Sequence, residues 1–350
     1  MPGFLSWISG LFSPERPPPP VPESRLFNPA TDTSDAALLD AEYALAQQLE
    51  EYLFVWLLDA SLADFRTPLA LSDHDVLEAL HQRLKNSQLD ELPRRPMSLP
   101  MLMRALSDES ADRNKVTDII LADPALTDQL LQVANSPYFR PGDHIIESVD
   151  QAVFVLGMAG IRNVIAAAVM RPMLAARNSR EALFAQRAWR WGLTCASAAE
   201  LVAKMHDEDT STHFMLGLLP ALAYITIHRE LQRICRSRPG TPEPGPALLR
   251  HALARFQWST CQLIANEWNL PPQYHAYLMS AERPAPGQKH TPLGDGMVIG
   301  SREVLRHARQ RNLASEDLVR VVRLTPAQIE RVRRSLLAML QEGARSGARA

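Results

Sequence analysis

Apolar residues recur at helical spacing in one segment of this chain after another, and no segment alternates with a period of two long enough to form a sheet. The stretch that begins at Ser34 is rich in Ala, Leu, Gln and Glu, which are strong helix formers. Proline, glycine and capping residues separate the segments. The pattern therefore predicts an all-α protein, built as a multi-helix bundle.

Composition and charge narrow the classes of partner and compartment. The chain has 350 residues, 46% of them hydrophobic, which is enough for one large domain or two ordinary ones. A formal net charge of -2 provides no overall field that attracts nucleic acid. The 3 cysteines form no CxxC pair, so neither a disulfide framework nor a zinc site is indicated. The N-terminus lacks the pattern of a secretory signal, and we expect a cytoplasmic protein.

The chain divides by sequence pattern into four segments. Residues 1–34 combine a short amphipathic segment with a proline-rich tether, predicted to be disordered. Residues 35–95 predict an N-terminal helical hairpin whose second helix has Ser72 as N-cap, and residues 96–290 predict the main helical domain. Residues 291–350 predict a helical, arginine-rich extension, whose last helix has Thr325 as N-cap and Pro326 at its first position.

The amphipathic segment, residues 4–12, carries two interpretations. Its apolar side chains lie at helical spacing, which is typical of a docking peptide for a partner protein or of a peripheral membrane contact. The alternative is an apolar tail without a binding role. The segment has no basic face, which disfavours tight membrane binding.

The C-terminal extension contains eleven arginines against five acidic residues from Val298 onwards. Such a bias is typical either of an acidic or nucleic-acid partner or of the solvated faces of amphipathic helices. No aromatic residue interleaves the arginines, and aromatic stacking is what single-stranded nucleic acid usually requires. We therefore expect solvated helix faces and no nucleic-acid partner.

Several local signals predict where helices of the main domain begin and end. Asp123 is the predicted N-cap of a helix with Pro124 at its first position, and Asn135 and Ser136 are predicted to end it. A structural role is expected for Asn135 because asparagine tolerates the left-handed backbone conformation that terminates helices. Pro220 lies inside an apolar helical run, "FMLGLLPALAYI", where it predicts a break.

A series of motifs across about 185 residues resembles the HDOD family, a branch of the HD phosphohydrolase superfamily whose members look noncatalytic. The resemblance implies a helical bundle, with Gly157 and Gly217 among its structural signature residues. In order along the chain, the motifs are "LPMLMRALSD", "IILADPALTDQLLQVANSPYF", "ESVDQAVFVLGMAGIRNVI", "AWRWGLTCASAAELVA", "HFMLGLLPALAYI" and "EWNLPPQYHAYLM".

The resemblance also implies that the metal site of the superfamily has been lost. Pro220 and Ala221 occupy the places of the His-Asp pair, Trp191 stands where an upstream histidine is expected, and Ser259 stands near a later one. Proline, alanine and tryptophan side chains do not ligate metals, and serine does so poorly. These four positions are predicted to be a degenerate former metal site, with no cofactor.

A second candidate metal site is the sequence "KMHDEDTSTHF", which holds His206, Asp207, Asp209 and His213 within eight residues. These side chains lie between two predicted helices and could converge on an ion. The alternative is an ordinary solvated turn in which Thr210 or Ser211 caps the next helix. We expect the turn.

The function predicted from these observations is that of a regulatory module without enzymatic activity. The resemblance implies a protein partner in a bacterial signalling pathway, and a cyclic dinucleotide as the other class of ligand. Two alternatives stay open: a residual metal-dependent phosphohydrolase that uses the His206 cluster, and an assembly scaffold with no ligand.

Overall fold

A computed structural model describes residues 29–93, 113–122, 124–135, 144–170, 176–282 and 290–347. The chain forms two compact units, residues 1–41 and residues 42–350. In the first unit residues 29–41 are described, and they are helical. Every contact given below lies within the second unit. The predicted amphipathic segment, residues 4–12, and the signature residues Asp123 and Ser136 lie outside the described residues.

The described residues form thirteen helices and no strand, which confirms the predicted all-α class. In chain order the helices are α1 (Pro29–Leu58), α2 (Leu62–Phe65), α3 (Leu71–Lys85), α4 (Arg113–Leu121), α5 (Pro124–Ala134), α6 (Val149–Met170), α7 (Ser179–Met205), α8 (Thr210–Ser237), α9 (Pro246–Glu267), α10 (Pro272–Glu282), α11 (Pro292–His307), α12 (Ser315–Val321) and α13 (Pro326–Gly347).

Helix α8 lies at the centre of the second unit. Residues near its N-terminus, such as Phe214, pack in one core with α4, α5, α6 and α10. Residues further along, such as Tyr224, pack in a second core with α1, α3 and the start of α9. Helix α8 is long and apolar enough to cross a membrane, but 89% of its apolar window is buried inside the fold. That burial identifies α8 as the core helix of this unit.

Helix α8 continues through Pro220, so the predicted break is wrong. A proline removes one backbone donor and crowds the carbonyl of the preceding turn, at a cost of about 3 kcal/mol. Pro220 is buried, as are nearly all residues on both sides of it. The packing of α8 on all sides offsets the cost and keeps the helix intact.

Glycines set the closest approaches between helices in this core. A Cβ atom on Gly217 of α8 would lie 2.5 Å from the Cα atom of Ala196 in α7, a contact that no real side chain makes. On the other face of α7, Gly300 of α11 meets the backbone of Cys195 in the same way, with 2.7 Å to its Cα atom. Helices α8 and α11 therefore pack backbone to backbone against α7.

Gly157 has a different role, because it interrupts α6 with φ 66° and ψ 178°. This positive φ is readily adopted only by glycine, so Gly157 divides α6 into two helical parts.

Ser148, the residue just before this helix, accepts a hydrogen bond from the backbone nitrogen of Gln151, at 3.1 Å.

Helix caps agree with the sequence in some places and differ in others. Thr325 caps α13 as predicted, and its hydroxyl accepts from the backbone of Gln328. Ser72 does not cap α3: the helix begins at Leu71, because Asp73 accepts a hydrogen bond from the backbone of Ala70 at 2.9 Å. The carboxylate of Asp73, the third residue of the helix, thus helps to set its start.

Asn135 does end α5, but not through the expected left-handed backbone, since it is not among the described residues with positive φ. Its side-chain amide bridges two segments instead. Nδ2 donates to the carbonyl oxygens of Leu131, at 2.9 Å, and of Ile146, at 2.7 Å. Its Oδ1 accepts from the backbone nitrogen of Ile146, at 2.8 Å. Asn135 therefore ties the end of α5 to the segment before α6.

Candidate functional site: the Trp191 cluster and an open cleft

Trp191 lies inside the core between α7, α8 and α11, with 1% of its surface exposed. Its indole ring stacks on the ring of Tyr224 from α8, with 4.9 Å between centroids. Its Nε1 donates a hydrogen bond to the hydroxyl of Ser301 in α11, at 2.8 Å. The ring thus has an apolar partner on one face and a polar partner at its only donor, as a buried tryptophan requires.

Ala221 and Pro220 are buried on the neighbouring turn of α8. A Cβ atom on Gly192 of α7 would lie 2.5 Å from the Cβ atom of Ala221. The two helices are therefore in contact at residue 221, where the resemblance places an aspartate.

Ser259, the fourth predicted position, does not join the other three. Its side chain is exposed, and its hydroxyl donates to the carbonyl of Phe256 on the same helix, α9, at 3.1 Å. The residue of α9 that does reach the stack is Gln257, whose Oε1 accepts from the hydroxyl of Tyr224 at 2.8 Å. Trp191, Tyr224, Gln257 and Ser301 form one buried group, which we call the Trp191 cluster.

Burial disfavours ionisation of the groups in and beside the Trp191 cluster. Burial raises the pKa of the Tyr224 hydroxyl well above its usual range, so the hydroxyl stays protonated. Burial likewise raises the pKa of the nearby Cys195 thiol, which excludes a thiolate nucleophile there at neutral pH. The cluster holds no carboxylate or imidazole. Its four members pack and hydrogen-bond with one another.

The His206 cluster forms an interhelical turn. Asp209 is the N-cap of α8, a position we expected for Thr210 or Ser211, and its Oδ1 accepts from the backbone nitrogens of Ser211 and Thr212. Asp207 adopts a left-handed backbone with φ 55°. His206 and Asp207 face solvent.

His213, unlike the exposed side chains of the turn, is fully buried. Its Nδ1 lies 2.9 Å from the backbone carbonyl of Asp209, which can only accept, so Nδ1 carries the hydrogen. Its Nε2 lies 3.2 Å from Oε2 of Glu208, outside hydrogen-bonding geometry. Among the described residues, no three His, Cys, Asp or Glu side chains come together as a metal site.

An open cleft of about 880 Å³ lies beside this turn. It is bordered by the turn itself, by α9, α10 and the start of α11, and by the segment between α12 and α13. The sequence offered no signal for it, because no motif links these distant segments. Its lining residues are Glu208, Gln262, Ala276, Tyr277, Met279, Ser280, Glu282, His290, Thr291, Pro292 and Arg323.

A model of the HDOD domain matches residues 92–284 of this chain, which is more than half of its length. The chain belongs to the HDOD family. The resemblance of the motifs described above is thereby confirmed, and the matched residues include α4 to α10. The Trp191 cluster lies partly within this domain, since Ser301 belongs to the region after it.

One relative among curated proteins is the uncharacterized protein YuxH of Bacillus subtilis (strain 168), which is 27% identical over 193 residues. The match covers 52% of this chain and 46% of YuxH, so this HDOD protein spans less than half of that relative. Activities or partners of a longer protein do not transfer across such a match.

Solved structures share the fold at low sequence identity. A candidate metal-dependent phosphohydrolase from Shewanella amazonensis SB2B aligns with TM-score 0.55 at 18% identity, covering 78% of this chain and all of that one. An HDOD domain protein of unknown function from Geobacter sulfurreducens aligns with TM-score 0.51 at 15% identity, covering 77% and 96%. A candidate signal transduction protein from Marinobacter aquaeolei VT8 aligns with TM-score 0.50 at 17% identity, covering 81% and 69%.

Proposed function

We propose that this HDOD protein is a regulatory module without hydrolase activity, which acts by binding a protein partner in a bacterial signalling pathway. The observation that carries the proposal is the Trp191 cluster. Hydrolysis by an HD-type site needs imidazole and carboxylate ligands that hold a metal and activate water. Here a buried indole–phenol stack occupies the predicted ligand region.

The remaining predicted ligand positions support the same proposal. Ala221 packs against α7 and carries no ligand atom, and Ser259 faces solvent. The His206 cluster supports a structural turn, since Asp209 is committed to capping α8 and His213 to the carbonyl of Asp209. The Marinobacter relative, named as a candidate signal transduction protein, is consistent with a regulatory role.

A residual phosphohydrolase is the competing function, because the Shewanella relative is named as a candidate metal-dependent phosphohydrolase. The decisive experiment combines metal content with turnover. Purified, tag-free protein is analysed for iron, manganese, zinc, nickel and magnesium, and is incubated with bis-p-nitrophenyl phosphate and cyclic dinucleotides in the presence of each metal. We expect less than stoichiometric metal and no turnover above buffer.

The His206→Ala variant is the matched control, because His206 is exposed and its loss leaves the core untouched. About one metal per chain, together with turnover that His206→Ala abolishes, would overturn the proposal in favour of the hydrolase. Turnover that survives in His206→Ala would indicate a contaminating enzyme or a site elsewhere, and a Trp191→Phe variant then separates the two, since only a site in this chain responds to it.

The partner is tested by crosslinking the full-length protein in cells and identifying the products by mass spectrometry. We expect a stoichiometric protein partner, and its capture is compared between the full chain and a chain without residues 1–34. Only self-crosslinks, or none, would support the assembly scaffold instead.

A further inference from the structure

The cleft beside the α7–α8 turn has the size of a small-molecule site. Its volume of about 880 Å³ falls within the range of about 300 to 1,000 Å³ that is typical of ligand pockets. It is spatially separate from the Trp191 cluster, since none of the four cluster residues lines it. It therefore represents a second feature of the domain, independent of the lost metal site.

The walls of the cleft include solvent-exposed apolar surface. Met279 is 61% exposed although it is a large apolar side chain, and Ala276 and Pro292 also border the space. Tyr277 is held in place by a tilted contact with the buried ring of His213, at 4.7 Å between centroids. An aromatic ring that is fixed in orientation, next to a flexible methionine, suits a flat aromatic ligand.

Positive charge gathers at one end of the cleft. Arg323 is exposed, and its guanidinium has no ion pair or hydrogen bond to any residue that the structure describes. Its backbone is fixed, since its nitrogen donates to Oδ2 of the buried Asp295 at 3.1 Å. Arg323 thus presents an uncompensated charge from an anchored position.

His290 adds to this charge. Its Nδ1 lies 2.9 Å from Oδ1 of Asp295, and this hydrogen bond raises the pKa of His290, which keeps the ring protonated to higher pH. The N-terminus of α11 also opens here through Thr291 and Pro292, and its dipole has the same sign. Asp295 and, more weakly, Glu42 face His290, while the Arg323 guanidinium adds a positive charge at the same end of the cleft.

Acidic side chains border the cleft as well. Glu208 extends from the α7–α8 turn next to His213, and Glu282 lies at the end of α10. Carboxylates accept hydrogen bonds from amino and imino groups. A ligand that fits both ends carries an anionic group for Arg323 and, on its ring, a hydrogen-bond donor for Glu208.

We propose that this cleft binds a small organic anion with an aromatic body, the chemical class that includes nucleoside monophosphates and aromatic carboxylates. Arg323 pairs with the anionic group, and Tyr277 and Met279 contact the ring. The proposal rests on the proposed regulatory function, for which the bound anion is the input signal. It assigns that input to a site remote from the former metal ligands.

The test is calorimetric titration of the full-length protein with four probes: guanosine monophosphate, adenosine monophosphate, indole-3-acetate and inorganic phosphate. We expect at least one aromatic anion to bind with a dissociation constant below 1 mM, and at least ten-fold more tightly than phosphate. The nucleotides and the carboxylate distinguish the two sources of the anion. Phosphate that binds as tightly as every aromatic probe would overturn the aromatic part of the proposal.

Variants assign the binding to the cleft. Arg323→Ala is expected to weaken the tightest probe at least ten-fold, and Tyr277→Leu at least three-fold. Arg334→Ala is the matched control, because Arg334 is an exposed arginine of α13 outside the cleft. This variant should bind the tightest probe with unchanged affinity. Melting temperatures without ligand check the fold of each variant, and Arg323→Gln replaces Arg323→Ala if the latter is destabilised.

Two outcomes overturn this assignment: no probe binds below 1 mM, or Arg323→Ala and Arg334→Ala bind the tightest probe equally. Neither result bears on the proposed function, which depends on metal content and turnover. Conversely, hydrolysis of a bound nucleotide would overturn the proposed function while leaving the binding site supported.

Discussion

The ring of Trp191 lies nearly parallel to the ring of Tyr224, with 4.9 Å between centroids and 11° between ring planes. The stack joins α7 to α8 at the position where the family resemblance implies metal ligands. The stacked rings bury apolar surface in the core, and their contribution to the free energy of unfolding can be measured.

Truncation of this stack should be among the most destabilising single changes in the core. Replacing a buried tryptophan with alanine usually lowers the free energy of unfolding by about 3 to 5 kcal/mol, and we expect Trp191→Ala to fall in this range. Denaturant unfolding monitored by circular dichroism measures the change. Phe154→Ala is the control: Phe154 is 80% exposed, so its loss should cost less than about 0.5 kcal/mol. Equal effects of the two variants would contradict the structural role of Trp191.

Gly217 should not tolerate alanine. In a helix with free space the change would stabilise by up to about 1 kcal/mol. Here the added Cβ would lie 2.5 Å from the Cα atom of Ala196, so we expect destabilisation by about 1 to 3 kcal/mol. Thermal unfolding of Gly217→Ala is compared with Gly245→Ala, which has open space around its Cβ position and should change stability by no more than about 1 kcal/mol. A stabilised Gly217→Ala would refute the close helix contact.

His228 should make the protein less stable in mild acid. The ring is buried against Phe184, and burial lowers its pKa from 6.5 to about 4, although Glu181 nearby opposes the shift and Arg229 and Arg180 add to it. Between pH 6.5 and about 4 the unfolded chain therefore binds a proton that the folded chain does not, and stability falls as pH falls. The loss amounts to about 3 kcal/mol across this window, and little of it occurs above pH 6.5.

The His228→Phe variant keeps a ring against Phe184 and removes the titrating group. Its unfolding free energy, measured at intervals of half a pH unit between pH 4 and 7, should show a shallower decline than that of the unmodified protein. His74→Phe, at an exposed site on α3, should leave the slope unchanged. Parallel pH profiles for His228→Phe and the unmodified protein would show that another group is responsible.

Position 135 should require the side-chain amide of asparagine. In Asn135→Asp a carboxylate oxygen would face the carbonyls of Leu131 and Ile146, which now accept hydrogen bonds from Nδ2. We expect the free energy of unfolding to fall by about 1 to 3 kcal/mol at neutral pH, which is the cost of leaving buried polar groups unpaired. Asn86→Asp, at the exposed C-terminal end of α3, provides the comparison and should cost about 0.5 kcal/mol or less. Identical stabilities would mean that the bridge to Ile146 contributes nothing.

Local signals in the sequence predicted much of the secondary structure, because they act over one or two helical turns. Thr325 and Pro326 begin α13, Pro124 begins α5, and Gly157 interrupts α6, all as their backbone chemistry requires. The exceptions are informative. Pro220 failed to break α8 because burial of the surrounding helix outweighs the local cost of a proline, which is a tertiary effect.

The functional features divide in the same way. By itself the sequence determined the all-α class, the HDOD membership and the absence of ligand side chains at Trp191, Pro220 and Ala221. Helical spacing could also have pointed to Tyr224, because a residue three positions after Ala221 lies on the same face of the helix. Only the tertiary structure decided that Ser259 faces solvent while Gln257 completes the cluster, because the rotation of α9 depends on its packing. Likewise, the cleft joins Tyr277 to Arg323 across 46 residues of chain, and such a juxtaposition arises from folding and leaves no periodic trace in the sequence.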